Sequence, residues 1–180
     1  MPHILYYHSL SPTATDFLAT TMQSLHSLLT THALNIRLLP LPENLASILL
    51  PPLESGHYPG TLNLLQQLTP RIPLTLLCPH DHPAAKAARK SLPRAHRGIS
   101  CSGLLSLTYP PPPPNPFILW HETLHLLGAQ DHYDPITLQP TCPHKNCLMH
   151  YAPVPPTTPN SPPPSICPAT LAILRNTCTT

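Results

Sequence analysis

The chain has 180 residues, among them 29 prolines, 13 histidines and six cysteines, with 9 lysines and arginines against 7 acidic residues and a formal net charge of +2. That length suits one domain, and a 41% hydrophobic content is enough for a core. A near-neutral balance without a basic stripe argues against nucleic acid, five glycines without a period exclude collagen, and no apolar run is long enough to cross a bilayer. The start, Met1-Pro2-His3-Ile4, lacks the charged and apolar segments of a secretion signal, so the expectation is a cytoplasmic monomer without a membrane partner. In that setting cysteines favour metal binding or free thiols over a disulfide scaffold. Proline, histidine, leucine, threonine and glutamine share C-rich codons, so a base-composition bias accounts for much of the unusual make-up.

Taken in chain order, residues 3–7 read as a strand. Ser11-Pro12 offers a helix N-cap with proline at the first helical position, and Phe17, Leu18, Met22, Leu25, Leu28 and Leu29 continue a helical stripe to about residue 31. Residues 34–39 alternate like a strand. The proline-broken stretch 40–60 reads mostly as loop, with one short helix near 43–50, followed by a helix over 61–68. Residues 72–78 look like a buried strand, and 79–97 like a surface loop with a short helix at 83–91. Residues 98–101 and 103–108 form two strands about a tight turn at Ser102-Gly103, and Pro110 to Pro114 then ends the sheet. Asn115-Pro116 is again N-cap plus proline, opening a helix to Leu127 that Gly128 terminates, and a last short helix spans 168–177.

The chemistry lies in that penultimate helix, at His121-Glu122-Thr123-Leu124-His125. Positions i and i+4 share a helix face, so His121 and His125 present two imidazoles to one zinc ion, with Glu122 placed to take a proton from a water on the metal. Only three glutamates occur in the chain, so the histidine excess alone does not explain the match. Gly128 lets the chain turn off the helix, so that a residue three further on returns to the metal. Spacing favours Asp131 as third ligand; the preference of zinc for imidazole favours His132. Three protein ligands leave one position open, the arrangement of a catalytic zinc.

His-Glu-x-x-His-x-x-Gly-x-x-Asp, with Met149 in Cys147-Leu148-Met149-His150-Tyr151, resembles the metzincin clan of zinc metallopeptidases, and most closely the archaemetzincins. Cys142-x4-Cys147-x-Met149 reproduces one segment of that family, and Cys167-Pro168-Ala169-Thr170 resembles its final Cys-x2-Cys. The resemblance implies an α+β zincin domain over 1–180. Its N-terminal subdomain (1–128) would hold a small twisted mixed sheet, a backing helix and the active-site helix. An irregular C-terminal subdomain (129–180) would carry a Met-turn at Met149 and a short final helix. It also implies a second, structural zinc on Cys142, Cys147 and Cys167. The family's fourth cysteine is Thr170 here, which leaves Cys178 or His144 to complete a tetrahedron, or a disulfide among the three cysteines. An insertion of about ten residues, including Tyr133-Asp134-Pro135, separates the two sites.

The implied activity is peptide-bond hydrolysis by an endopeptidase or aminopeptidase. Glu122 would be general base and then proton donor, Tyr151 would help to hold the oxyanion, and a peptide or protein substrate would lie along an edge strand at 98–101. Two rivals stand beside it: a catalytically inactive zinc-binding protein, and an interaction protein using the tracts 110–114 and 162–164 as proline-rich docking ligands.

Overall fold

The computed structural model describes residues 3–8, 12–68, 72–79, 81–90, 98–108, 115–144, 146–150 and 164–178. It is a mixed α+β structure. Strand β1 (His3–His8) leads into helix α1 (Pro12–Thr31) and returns as β2 (Arg37–Pro40). Helices α2 (Glu43–Glu54) and α3 (Tyr58–Gln67) precede β3 (Leu74–Leu77), and α4 (Pro83–Lys90) precedes the pair β4 (Gly98–Cys101) and β5 (Leu105–Thr108). Helix α5 (Pro116–His125) and helix α6 (Pro168–Cys178) follow.

The strands form one sheet in the order β2-β1-β3-β5-β4. Pairing is parallel from β2 through β5, and β4 runs antiparallel to β5 at one edge. Period-2 alternation along the strands divides the apolar side chains between two cores. Ile4 and Leu77 face a cluster with Leu18, Met22, Leu25 and Leu29 of α1 and with Leu119 and Leu124 of α5. Leu5, Leu74, Leu76, Leu105 and Leu107 face a second cluster with Leu49, Leu50 and Leu53 of α2, Leu65 of α3 and three alanines of α4. The first cluster also takes in Leu148, Met149, Ile166 and Leu174, so the irregular C-terminal part packs on the same side as α1 and α5.

Most of the expected elements are present, with three differences. The stretch 40–60 is helical for most of its length, because α2 continues through Pro51 and Pro52 and α3 begins at Tyr58. Proline inside a helix forfeits a hydrogen bond to the carbonyl four residues back. Here those carbonyls belong to Ser47 and Ile48, both exposed, while Leu49, Leu50 and Leu53 hold the helix against the sheet. The second strand is shifted: Leu34 and Ile36 are buried ahead of it, and pairing begins only at Arg37. In addition, the face of the sheet away from α1 and α5 is covered by α2, α3 and α4, more than the single backing helix expected. Among the described residues no helix is long and apolar enough to cross a membrane.

The turn at Ser102-Gly103 has φ of 53° and 63°, the two successive positive values of a tight hairpin whose twist suits the flanking strands. Among the described residues it presents β4 as an edge strand of the sheet, beside α5.

Candidate metal centre

Helix α5 is built for its position. The Asn115 side chain caps it, accepting from the Phe117 N–H at 2.9 Å, with Pro116 preset for the first turn. Trp120 Nε1–H donates to the Thr21 carbonyl at 3.0 Å and ties the helix to α1. Beneath it, the Thr75 hydroxyl is 3.1 Å from both Ser106 Oγ and Thr123 Oγ1, and Thr123 donates back to the Leu119 carbonyl at 2.7 Å. These buried hydroxyls therefore satisfy one another at the helix–sheet contact. At the far end Gly128 (φ 88°) turns the chain, with Ala129 N–H bonded to the Leu124 carbonyl and Gly128 N–H to that of His125. This is a Schellman closure, which a left-handed glycine permits.

The turn carries Asp131 back to the helix. His121 Nε2 and His125 Nε2 are 3.1 Å apart, and Asp131 Oδ1 lies 3.2 Å from each. Tetrahedral zinc with bonds of about 2.0–2.1 Å separates its ligands by about 3.3 Å, so the three donors have the spacing of one metal's ligands. Both rings are oriented from behind: His121 Nδ1 is 2.8 Å from the Leu148 carbonyl, and His125 Nδ1 is 2.8 Å from that of Ala129. A neutral ring that donates Nδ1–H to its carbonyl would offer its Nε2 lone pair to a metal. Burial works to raise the Asp131 carboxyl, but its hydrogen bonds to the two imidazoles outweigh that and hold it well below the usual carboxylate range. Burial alone would lower His125; the bond to Asp131 and the neighbouring Glu122 and Asp131 charges raise it instead.

Glu122 is buried next to the triad. Loss of water raises its carboxyl above the ordinary range, and the Asp131 charge adds to this, against the opposing pull of His121 and His125. It lies against Gly98 of β4, where any Cβ would overlap the Glu122 carboxyl and Cγ. Together with Gly98, Ile99, Ser100, Gly103 and Tyr133, the triad and Glu122 line a cavity of about 390 Å³ open along the β4 edge. Tyr133 is a wall residue that the sequence reading missed. Its ring stacks over His121 at 6.5 Å between centroids and 26° between planes, and its position two residues after Asp131 was the available signal.

His132 does not join the two imidazoles. Its Nδ1 faces 3.3 Å from Cys147 Sγ and 3.4 Å from Cys167 Sγ, and with Cys142 these residues make a second group whose donor atoms all lie within 4.8 Å of one another. The ten-residue excursion to Cys142 closes on itself. Asp134 Oδ1 accepts from the Ile136 and Thr137 amides, Tyr133 bridges Pro140, and Thr141 N–H bonds the His132 carbonyl at 2.8 Å. Cys142 thus returns beside His132, and the solvent-facing tip is Ile136. Three thiols and an imidazole are a donor set suited to structural zinc. His144 is exposed outside this group, and Thr170 instead lies 3.4 Å from Cys167 Sγ. Burial pushes the Cys147 thiol up to about 12. Burial also opposes ionisation of Cys167, but hydrogen bonds from Thr170 and the neighbouring thiols bring it below the ordinary thiol value. Cys142, Cys147 and Cys167 are free thiols.

Met149 is fully buried in a turn closed by His150 N–H to the Cys147 carbonyl. Tyr151, the tract 110–114 and the Cys178 side chain lie outside the described residues.

No family profile matches the sequence, and no curated protein matches it either. Among solved structures, the chain matches archaemetzincin from Methanopyrus kandleri with a TM-score of 0.54 at 12% identity, over 99% of this chain and 96% of that one. The fold is that of archaemetzincin. With so few shared residues, the archaemetzincin-like architecture rests on backbone topology, and what the site does follows from its own side chains.

Proposed function

We propose that the protein is a zinc-dependent peptidase whose reactive centre is His121, His125 and Asp131 with Glu122. The observation that carries this is the convergence of two Nε2 atoms and one carboxylate oxygen at 3.1–3.2 Å, beside a buried glutamate, in a cavity along an edge strand. The archaemetzincin-like fold supports the same reading. Zinc held by the triad would supply a Lewis acid for the scissile carbonyl and lower the pKa of water toward about 7.

The chain's own groups do the rest. Glu122 sits where it accepts a proton from the attacking water and returns it to the leaving amine, a role in which a carboxyl raised by burial is better matched to neutral pH. Among the described residues β4 pairs only with β5, so its other side would take an extended peptide, and Gly98 and Gly103 keep the approach low. Tyr151 is the residue assigned to steady the oxyanion, and Met149 the residue of a Met-turn. His132, Cys142, Cys147 and Cys167 would hold a second, structural zinc, so the proposed content is two ions per chain.

Metal analysis and a peptide-library assay test this together. Wild-type protein should contain zinc and cleave. Glu122→Gln should keep the metal and lose about 10²–10⁴-fold in kcat/KM, whereas His125→Ala should lose the triad's ion. A zinc-loaded protein that cleaves nothing in the library would instead be the inactive binder, and a chain isolated without affinity for zinc would end the proposal.

A further inference from the structure

The two donor groups are structurally continuous, which their sequence spacing does not reveal. Asp131 and His132 are adjacent residues, one pointing into each group. Cys147 belongs to the thiol group, and the carbonyl of the next residue, Leu148, holds His121 Nδ1 at 2.8 Å. The His132 N–H in turn donates to the Met149 carbonyl at 2.8 Å, closing a ring through both segments. Two of the three triad ligands, Asp131 and His121, are therefore oriented by backbone that the thiol group pins. Only His125, anchored on Ala129 within its own helix end, is independent of it.

We propose that His132, Cys142, Cys147 and Cys167 are positioning residues for the reactive centre: metal bound among them sets the metal affinity of His121, His125 and Asp131. Contacts of 3.3 and 3.4 Å from His132 Nδ1 to the Cys147 and Cys167 sulfurs link part of this group, and a metal bonded to all four donors would fix it more tightly. Relaxation of the cluster moves the Leu148 carbonyl and the 131–132 peptide, and with them the orientation of two triad ligands. Supports of this kind are worth about 10–100-fold in metal affinity. The hairpin 133–140 has a role in this arrangement, since it returns Cys142 to the cluster beside His132, which supplies the donor that Thr170 does not. The inference rests on the peptidase reading only in taking the triad as the reactive metal's site.

The test is metal binding by the full chain, independent of turnover. Apoprotein under reducing conditions is supplied with cobalt, whose thiolate charge-transfer absorption reports the Cys/His group alone. Zinc affinity at the triad is then measured against a chromophoric chelator. In the wild type the thiolate band should saturate first, and triad binding should follow. His132→Ala and the double variant Cys142→Ser, Cys167→Ser should lack the normal band and bind triad zinc about 10–100-fold more weakly. His132→Cys, which restores a fourth soft donor, should recover both. A variant with native far-ultraviolet circular dichroism, no thiolate band and wild-type triad affinity overturns the inference and leaves the peptidase proposal intact. Should the variants fail to fold, the wild type decides by itself: triad zinc that binds before the thiol group fills, with the same affinity as afterwards, also overturns it. A wild type that fills the thiol group and never takes zinc at the triad overturns both proposals.

Discussion

At Gly98 the absence of a side chain is what lets Glu122 occupy its place, since a Cβ would overlap the carboxyl. Gly98→Ala should therefore displace Glu122, the proposed general base, while leaving His121, His125 and Asp131 untouched. A misplacement near 1 Å costs roughly 10²-fold, so kcat/KM should fall by about that factor with zinc content unchanged. Cys78 makes a different kind of prediction. Burial pushes its thiol up to about 12, against the opposing Arg89 charge. The unfolded chain loses that proton near pH 8.5–9, about the ordinary thiol value. The native state keeps it, so this contribution to stability is whole below that pH and is lost as pH rises toward 12. Urea unfolding at fixed pH should show Cys78→Ala declining less steeply than wild type across that window.

Among the elements, α2 departs furthest from sequence expectation. Pro51 and Pro52 read as helix breakers, and by local propensity they are. Burial of Leu49, Leu50 and Leu53 against the sheet offsets them, because each buried leucine is worth about 1.5–3 kcal/mol. Pro51→Ala should consequently stabilise the protein by about 1–2 kcal/mol, since it restores a donor toward the Ser47 carbonyl while loosening the unfolded chain. Leu53→Ala should cost about 2–5 kcal/mol. Denaturant midpoints would measure both. The hydroxyl chain under α5 gives a sharper case. Thr75→Val preserves shape but removes the group that meets Ser106 and Thr123. A loss of about 1–3 kcal/mol is expected, read by the same unfolding curves.

For the whole molecule, the C-terminal segments share a core with α1 and α5, so whatever fixes the loops at 129–150 also stabilises the fold. Removing the proposed zinc should therefore be felt globally. Ligand present at 100–1,000 times its Kd adds about 2.7–4.1 kcal/mol. At about 2–4 °C per kcal/mol in a domain of this size, chelation should lower Tm by roughly 10 °C. Calorimetry with and without chelator checks this, and an unchanged Tm would contradict tight binding at either group.

The element order was largely legible, because caps, proline at first helical positions and strand alternation are local signals. Asn115-Pro116, Ser102-Gly103 and Gly128 each act where their conformational preferences direct them. The motif around His121, Glu122 and His125 was legible for the same reason: one helical turn puts i and i+4 on one face. Residues whose roles depend on distant partners were not. His132 competes with Asp131 on spacing, and only the folded chain brings His132 against Cys147 and Cys167 while Asp131 meets the two imidazoles. Gly98 and the hairpin that returns Cys142 likewise carry no local signature of the centre they surround, and Tyr133 carries only its nearness to Asp131. Short-range backbone preferences thus determined the helices, turns and paired histidines. Long-range packing decided which side chain faces which donor group, because a side chain's neighbours across the fold are absent from its sequence window.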